Sequence, residues 1–187
     1  MLRIANAGGY WGDDPYALRR QLSGSLALDF IVIDYLAELT MSILQKQKVR
    51  DPSLGYATDF ITQAAPLLGA MHRAGVRLVT NAGGVNPRAA AAALAAAVDC
   101  PGLRIAVVEG DDLLDRLGAL AAQGQGLANM ETGEPFAPIA PRTVAANAYF
   151  GAQGIKEALL LGAHVVICGR VTDTAITLGP LLAEFGW

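Results

Sequence analysis

Three carboxylates stand close together in the sequence, at Glu109, Asp111 and Asp112. Such a cluster suits two kinds of chemistry: oxygen ligation of a hard divalent cation, and proton transfer by a general base. We expect these three residues to be metal ligands, for Mg²⁺ or Mn²⁺ rather than zinc, because no histidine or cysteine set has zinc spacing. Glu109 and Asp111, with Asp34 after another apolar run, are also the candidate catalytic carboxylates. The competing interpretation is that Asp111 and Asp112 only complement a helix dipole.

A second feature is a tetrapeptide, Asn-Ala-Gly-Gly, that occurs at residues 6–9 and again at 81–84. Each copy follows a short apolar run and precedes a helix start. A strand, a glycine turn and a capped helix in this order leave backbone N–H groups facing a ligand. The alternative is tight-turn geometry alone, for which glycine supplies a positive φ. The candidate ligand-binding residues in the two copies are Asn6, Gly8, Gly9, Asn81, Gly83 and Gly84.

Other polar or aromatic residues lie near these turns or at the ends of predicted strands. Arg88 and Arg170 could supply positive charge to a bound anion, and Trp11 could stack on a flat ligand or pack on the core. Asparagine and aspartate also make good turns and helix caps, and this is the alternative role for Asn86, Asn147 and Asp173. The further candidate ligand-binding residues are Trp11, Asn86, Arg88, Asn147, Arg170 and Asp173.

The elements that must position these residues alternate between strand and helix. The predicted strands are 2–5, 28–33, 76–80, 103–108, 143–148 and 164–168. The predicted helices are 14–22, 37–48, 56–74, 87–98, 111–122, 152–161 and 173–185. This alternation predicts one three-layer α/β domain over residues 1–187, with a mainly parallel sheet and helices on both faces. The alternative is a partial (β/α) barrel. In either fold, ligands bind beyond the carboxyl ends of the strands.

Composition excludes several classes of function. The net charge of −3 gives no basic surface for nucleic acid. Two distant cysteines indicate reduced thiols and a cytoplasmic location rather than a disulfide framework. The sequence has no signal-peptide pattern and no apolar run that predicts a membrane span. It also has no G-x-G-x-x-G fingerprint, so a dinucleotide cofactor is not expected.

Six short segments resemble the acyclic terpene utilisation family, in its N-terminal domain. The segments are 7–15 (Ala-Gly-Gly-Tyr-Trp-Gly-Asp-Asp-Pro), 34–38, 55–60, 80–87, 107–112 and 169–173. They occur in the family's order over nearly the whole chain. Members are bacterial and fungal cytoplasmic proteins, whose genes often accompany acyl-CoA carboxylases in citronellol and geraniol catabolism. The family name describes a pathway requirement rather than a reaction.

The resemblance implies an enzyme acting on a carboxylated or CoA-linked branched acyl substrate, with carboxylates at the strand ends. The alternative is a non-catalytic binding or scaffold subunit that partners an acyl-CoA carboxylase. An enzyme predicts a deep pocket at the strand ends with perturbed carboxylates, whereas a scaffold predicts an apolar surface patch. Family members continue well past residue 187, so we expect a homo-oligomer, or pairing with a missing C-terminal part.

Overall fold

Parallel strands and helices alternate along the chain in the computed structural model, which describes residues 1–187. The strands are β1 (Ile4–Asn6), β2 (Phe30–Ile33), β3 (Arg77–Thr80), β4 (Ile105–Val108) and β5 (Val165–Cys168). The helices are α1 (Ala17–Leu22), α2 (Glu38–Arg50), α3 (Thr58–Ala74), α4 (Pro87–Ala97), α5 (Leu117–Ala122), α6 (Gln153–Leu160) and α7 (Ala175–Phe185). Short 3₁₀ turns lie at Leu114–Arg116 and Ala140–Arg142.

The strands form one open sheet in the order β1-β2-β3-β5-β4, and every neighbouring pair is parallel. This confirms the predicted α/β fold. The alternative of a partial (β/α) barrel is wrong, because β1 and β4 form the two edges of the sheet and do not pair with each other.

Alternate residues of the inner strands point to opposite faces of the sheet, as the two-residue period of a strand requires. Ile31 and Ile33 of β2 join a core that includes buried residues of α1, α2, α3 and α4. Phe30 and Val32, from the same strand, join a second core with α6 and α7. All four residues of β2 are buried. The sheet is therefore covered by helices on both faces, which gives the three layers.

Helix α3 shows how the apolar pattern builds one of these cores. Its buried residues Phe60, Ala64, Leu68 and Met71 follow the three- and four-residue spacing of one helix face. The helix ends at Gly75, whose φ of +72° is the left-handed conformation that favours glycine at a helix end. None of the helices is both long and apolar enough to cross a membrane.

The predicted strand at 143–148 is wrong. The structure places only an isolated antiparallel bridge there, between Asn147 and Asp112. The backbone of this segment pairs with the loop after β4 instead: the Leu113 N–H donates to the Ala146 carbonyl, and the Ala148 N–H donates to the Asp111 carbonyl. Residues 143–148 instead run along the outside of the domain, following the 3₁₀ turn at Ala140–Arg142.

The connections that follow the neighbouring strands β3 and β5 go to opposite faces of the sheet. The chain leaves β3 towards α4, which packs on one face of the sheet, and leaves β5 towards α7, which packs on the other. Adjacent strands whose connections diverge in this way open a gap at their carboxyl ends, where ligands bind in open α/β sheets. The candidate site is therefore sought beyond Thr80 and Cys168.

Candidate functional site

The polar residues predicted at strand ends share one edge of the sheet. Asn6 ends β1, Asn81 follows β3, Glu109 follows β4 and Arg170 lies two residues after β5, and all these strands run in the same direction. The predicted common edge is therefore confirmed. However, β1 and β4 are the outermost strands, so Asn6 and Glu109 stand about 19 Å apart at the usual strand spacing. The edge carries several separate groups of residues rather than one.

The first group surrounds Arg170, whose side chain is only 7% exposed. Its Nη1 donates a hydrogen bond to the Leu36 carbonyl at 2.9 Å, and its Nη2 donates to Glu38 Oε1 at 3.2 Å. The guanidinium also lies 4.3 Å from the centre of the Tyr149 ring, in a cation–π contact. Asp173 is a more distant ion-pair partner at 3.8 Å. Arg170 is thus a buried cation held on several sides.

Asp111 binds the Arg170 backbone and the Asn147 side chain. Its Oδ2 accepts hydrogen bonds from the Arg170 backbone N–H at 2.8 Å and from Asn147 Nδ2 at 3.0 Å. The carboxylate is buried. Burial raises the pKa of Asp111 above its ordinary value, while the two hydrogen bonds partly oppose that shift. A Cβ at Gly169 would collide with this carboxylate, so glycine is required there for the close approach.

An apolar groove of about 460 Å³ begins at this group, and we call it the α2 groove. It runs along α2 between that helix and the segment 144–149. Its lining residues are Glu38, Met41, Ser42, Gln45, Lys46, Val49, Arg50, Val144, Ala145, Asn147, Tyr149 and Arg170. The α2 members recur every three or four residues, so they form one helix face. The end of the groove near the start of α2 is polar, because it is lined by Glu38, Tyr149 and Arg170.

Glu38 is the exposed member of the polar end. It accepts a hydrogen bond from the Tyr149 hydroxyl as well as from Arg170. The Tyr149 hydrogen bond, with the nearby positive charge of Arg170, lowers the pKa of the Glu38 carboxyl below its ordinary value. Glu38 is therefore ionised at neutral pH, and it complements the buried cation.

The three carboxylates proposed as metal ligands line one pocket of about 320 Å³, together with Gly84, Asn86 and Arg88, but each is directed to a different partner. Glu109 forms an exposed ion pair with Arg88, Asp111 is directed towards Arg170, and Asp112 accepts a hydrogen bond from the Leu114 N–H at 3.0 Å. No group of three or more His, Cys, Asp or Glu side chains is placed to hold a metal ion. The donor geometry therefore gives no support to the predicted Mg²⁺ or Mn²⁺ site.

In the first glycine turn, nearby side chains accept hydrogen bonds from the backbone N–H groups. Asn6 Oδ1 accepts a hydrogen bond from the Gly8 N–H at 3.1 Å, and Asp13 Oδ2 accepts one from the Gly9 N–H at 3.0 Å. Trp11 is partly buried and packs against the core, which favours the packing interpretation over stacking on a ligand. These N–H groups are therefore occupied within the turn.

The second glycine turn is required by close packing within the protein. A Cβ at Gly83 would lie 2.5 Å from the Cys168 carbonyl oxygen, at the end of β5. Gly84 has a φ of +53°, and a Cβ there would collide with Leu44 and lie 2.8 Å from the Gly55 carbonyl. The prediction of positive φ or a close approach is confirmed for both glycines. The object approached is the protein itself rather than a ligand.

The amide residues of this region connect neighbouring loops. Asn81 Nδ2 donates to Asp34 Oδ1 at 2.6 Å, and Asn81 Oδ1 accepts from the Tyr35 N–H at 2.7 Å. Asn86 Nδ2 donates to the carbonyls of Pro52 and Leu54 at 2.9 and 2.8 Å. Asp34, Asn81 and Asn86 thus have structural hydrogen bonds, and they do not line the α2 groove.

Sequence reasoning missed Glu38, Tyr149 and the groove-facing side of α2. The spacing of Met41, Gln45 and Val49 on α2 could have revealed a second face of this helix, next to the one that carries the buried Leu44. Tyr149 carries no such local signal, because it lies outside any strand or helix. Asn147, Arg170 and Asp173 were predicted, and the structure brings all three to the polar end.

Comparison with known proteins assigns the family. Residues 2–187 match the family model described as "Acyclic terpene utilisation family protein AtuA". The match includes every residue of the α2 groove and of the group around Arg170. Comparisons with curated proteins and with solved structures found no match. The chain therefore belongs to the acyclic terpene utilisation family.

Proposed function

We propose that this chain is an enzyme of acyclic terpene utilisation that binds a branched acyl substrate, carboxylated or CoA-linked, in the α2 groove. One observation carries the proposal: an apolar groove of about 460 Å³ ends on Arg170, a buried cation whose backbone N–H is bound by the buried carboxylate Asp111. The groove volume falls within the usual range of small-molecule sites, and a few polar groups at one end are typical of such sites.

Part of the α2 groove lining suits a hydrocarbon chain, while Gln45, Lys46 and Arg50 add polar and charged groups along α2. Met41, Val49, Val144 and Ala145 present hydrocarbon surface, and Val144 is 66% exposed. Covering such surface with a ligand contributes roughly 25 cal/mol for each Å² removed from water. An acyclic branched chain can follow the length of α2, because the groove runs along one face of this helix.

The polar end suits the oxygen-bearing group of the same substrate. Arg170 is shielded from water, so its charge acts on a bound carbonyl or carboxylate oxygen more strongly than a surface arginine would. Asp111 contributes by fixing the Arg170 backbone and the Asn147 side chain that lines the groove. The strand-end carboxylate is therefore assigned a positioning role, with Arg170 as the residue that contacts substrate.

Blocking the groove tests this function. Ser42 is exposed and lines the groove, so Ser42→Trp should fill it without disturbing the core. Calorimetric titration of a branched acyl-CoA should show affinity at least about tenfold weaker in this variant. Thr62→Trp, on the exposed surface of α3 and away from the groove, is the matched control and should bind like the wild type. Equal affinity in both variants and the wild type would contradict the proposal.

A second candidate function, a scaffold subunit for an acyl-CoA carboxylase, has one observation in its favour. No side chain from Asp112 to Gly151 is buried, and Met130 and Ile139 are 97% and 48% exposed. Exposed apolar side chains such as these are available for a contact with another protein. Under this alternative, Met130→Glu should weaken co-purification with the carboxylase, while Ser42→Trp should leave it intact.

A further inference from the structure

Two hydrogen-bond donors at the polar end of the α2 groove converge on one oxygen atom. Arg170 Nη2 lies 3.2 Å from Glu38 Oε1, and the Tyr149 hydroxyl donates to the same oxygen. The three side chains all line the groove. A charged donor and a neutral donor directed at one point form a cradle for an anionic oxygen.

The residues of this cradle differ in how deeply they are buried and in how many contacts hold them. The Arg170 side chain is 7% exposed and is also bonded to the Leu36 carbonyl, while Asp111 fixes its backbone. The Glu38 side chain is 77% exposed, and its side-chain hydrogen bonds are those to Arg170 and Tyr149. The cation is therefore built into the fold, whereas the glutamate can rotate into water. Glu38 is the exchangeable partner of this buried arginine.

We propose that the substrate is recognised through a free carboxylate, which displaces the Glu38 carboxylate from Arg170 and Tyr149. This inference rests on the proposed function of the α2 groove and deepens it by naming the substrate class. Glu38 then acts as an internal stand-in for the ligand, and it occupies the cradle when the groove is empty.

Charge balance favours a monocarboxylate over the other head groups. Exchange of one carboxylate for another leaves the buried Arg170 with the same number of neighbouring negative charges. A neutral head group that displaced Glu38 would leave only Asp173, 3.8 Å away, to compensate the cation. A phosphate would instead bring a second negative charge next to Asp173, which already lies 3.8 Å from the guanidinium. The apolar walls then lead away from the carboxylate along α2.

The test compares a branched acid with the alcohol that has the same carbon chain. Calorimetry with citronellate and citronellol should show that wild type binds the acid at least about tenfold more tightly, as expected for a charge-assisted hydrogen bond. Glu38→Gln removes the competing charge, so it should tighten citronellate binding severalfold and leave citronellol unchanged. Tyr149→Phe should weaken citronellate binding and leave citronellol unchanged.

A control variant and the contrary outcomes complete the test. Glu184→Gln breaks an ion pair with Arg77 away from the groove, and it should bind both compounds as wild type does. Equal affinity for acid and alcohol, or weaker citronellate binding in Glu38→Gln, would overturn the carboxylate inference and leave the groove intact. If neither compound binds wild type but a branched acyl-CoA does, the carboxylate inference alone is overturned; if the acyl-CoA also fails to bind, the proposed function is overturned with it.

Discussion

Asp111 Oδ2 accepts a hydrogen bond from the Arg170 backbone N–H at 2.8 Å, across 59 residues of sequence. This contact joins the loop after β4 to the loop after β5, and it lies beneath the polar end of the α2 groove. The carboxylate accepts a second hydrogen bond from Asn147, which lines that groove. One buried side chain thereby holds parts of three loops in a fixed arrangement.

Removal of this carboxylate should destabilise the protein. Asp111→Ala leaves the Arg170 N–H and Asn147 Nδ2 without their acceptor, at a cost of about 1–3 kcal/mol for a buried unpaired donor. Asp111→Asn retains an acceptor oxygen of the same shape, and it should cost much less. Urea unfolding of the two variants measures the difference. Equal unfolding free energies for both variants and the wild type would show that the contact contributes nothing.

Gly84 should tolerate substitution poorly, unlike Gly9. Gly84→Ala places a Cβ against Leu44 and the Gly55 carbonyl at a positive φ, which we expect to cost about 2–4 kcal/mol from strain and overpacking. A Cβ at Gly9 approaches only Asp13 Oδ2, at 4.0 Å, so Gly9→Ala is the matched control. Thermal melts should show a lowered midpoint for the first variant only. Similar melting of both variants would mean that the turn at Gly84 relaxes freely.

The stability of the protein should decrease as the pH falls below about 6.5, because of a histidine pair. The rings of His72 and His164 lie 4.4 Å apart, and His164 Nδ1 accepts the Arg104 N–H at 2.9 Å. Burial, then the charges of His72, Arg104 and Arg77, lower the pKa of His164 below its ordinary value of 6.5. The unfolded chain therefore binds protons first, so the stabilisation is complete above that value and is lost on acidification.

Urea unfolding at about pH 7.5 and about pH 5.5 measures this effect. The chain has only these two histidines, so the interpretation is simple. His72→Gln removes one imidazole and the repulsion between the two rings, and it should reduce the difference between the two pH values. A stability that is constant or rises on acidification would contradict the predicted sign.

We also expect the protein to self-associate or to pair with another chain. The segment from Asp112 to Gly151 has no buried side chain, yet it contains Met130, Ile139 and Val144 in exposed positions. Apolar surface of this extent favours association. Light scattering during size-exclusion chromatography should show a mass above that of the monomer at high concentration. Met130→Glu should shift the population towards the monomer, and a strict monomer in the wild type would contradict the prediction.

Local patterns in the sequence determined most of the elements and the edge on which the site lies. The apolar runs at 28–33 and 164–168 predicted β2 and β5, because strands buried on both faces have near-continuous apolar sequence. Parallel strands joined by helices must end at a common edge, so the placement of Asn81 and Arg170 on one edge followed from the alternation of elements alone. The polar character of that edge was equally visible from the residues after each strand.

Strand order and long-range contacts were decided only by the tertiary structure. Placing β5 between β3 and β4 brings Arg170 to Asp111 and moves Glu109 to the far edge from Asn6. The pairing of Glu38 with Arg170 joins residues 132 positions apart, and no local pattern records it. The predicted strand at 143–148 had a suitable composition, but its backbone pairs with the loop after β4 rather than with a strand. Such pairings depend on which surfaces the folded chain leaves free. A hydrophobic period of two or 3.6 residues indicates only which face of one strand or helix is buried.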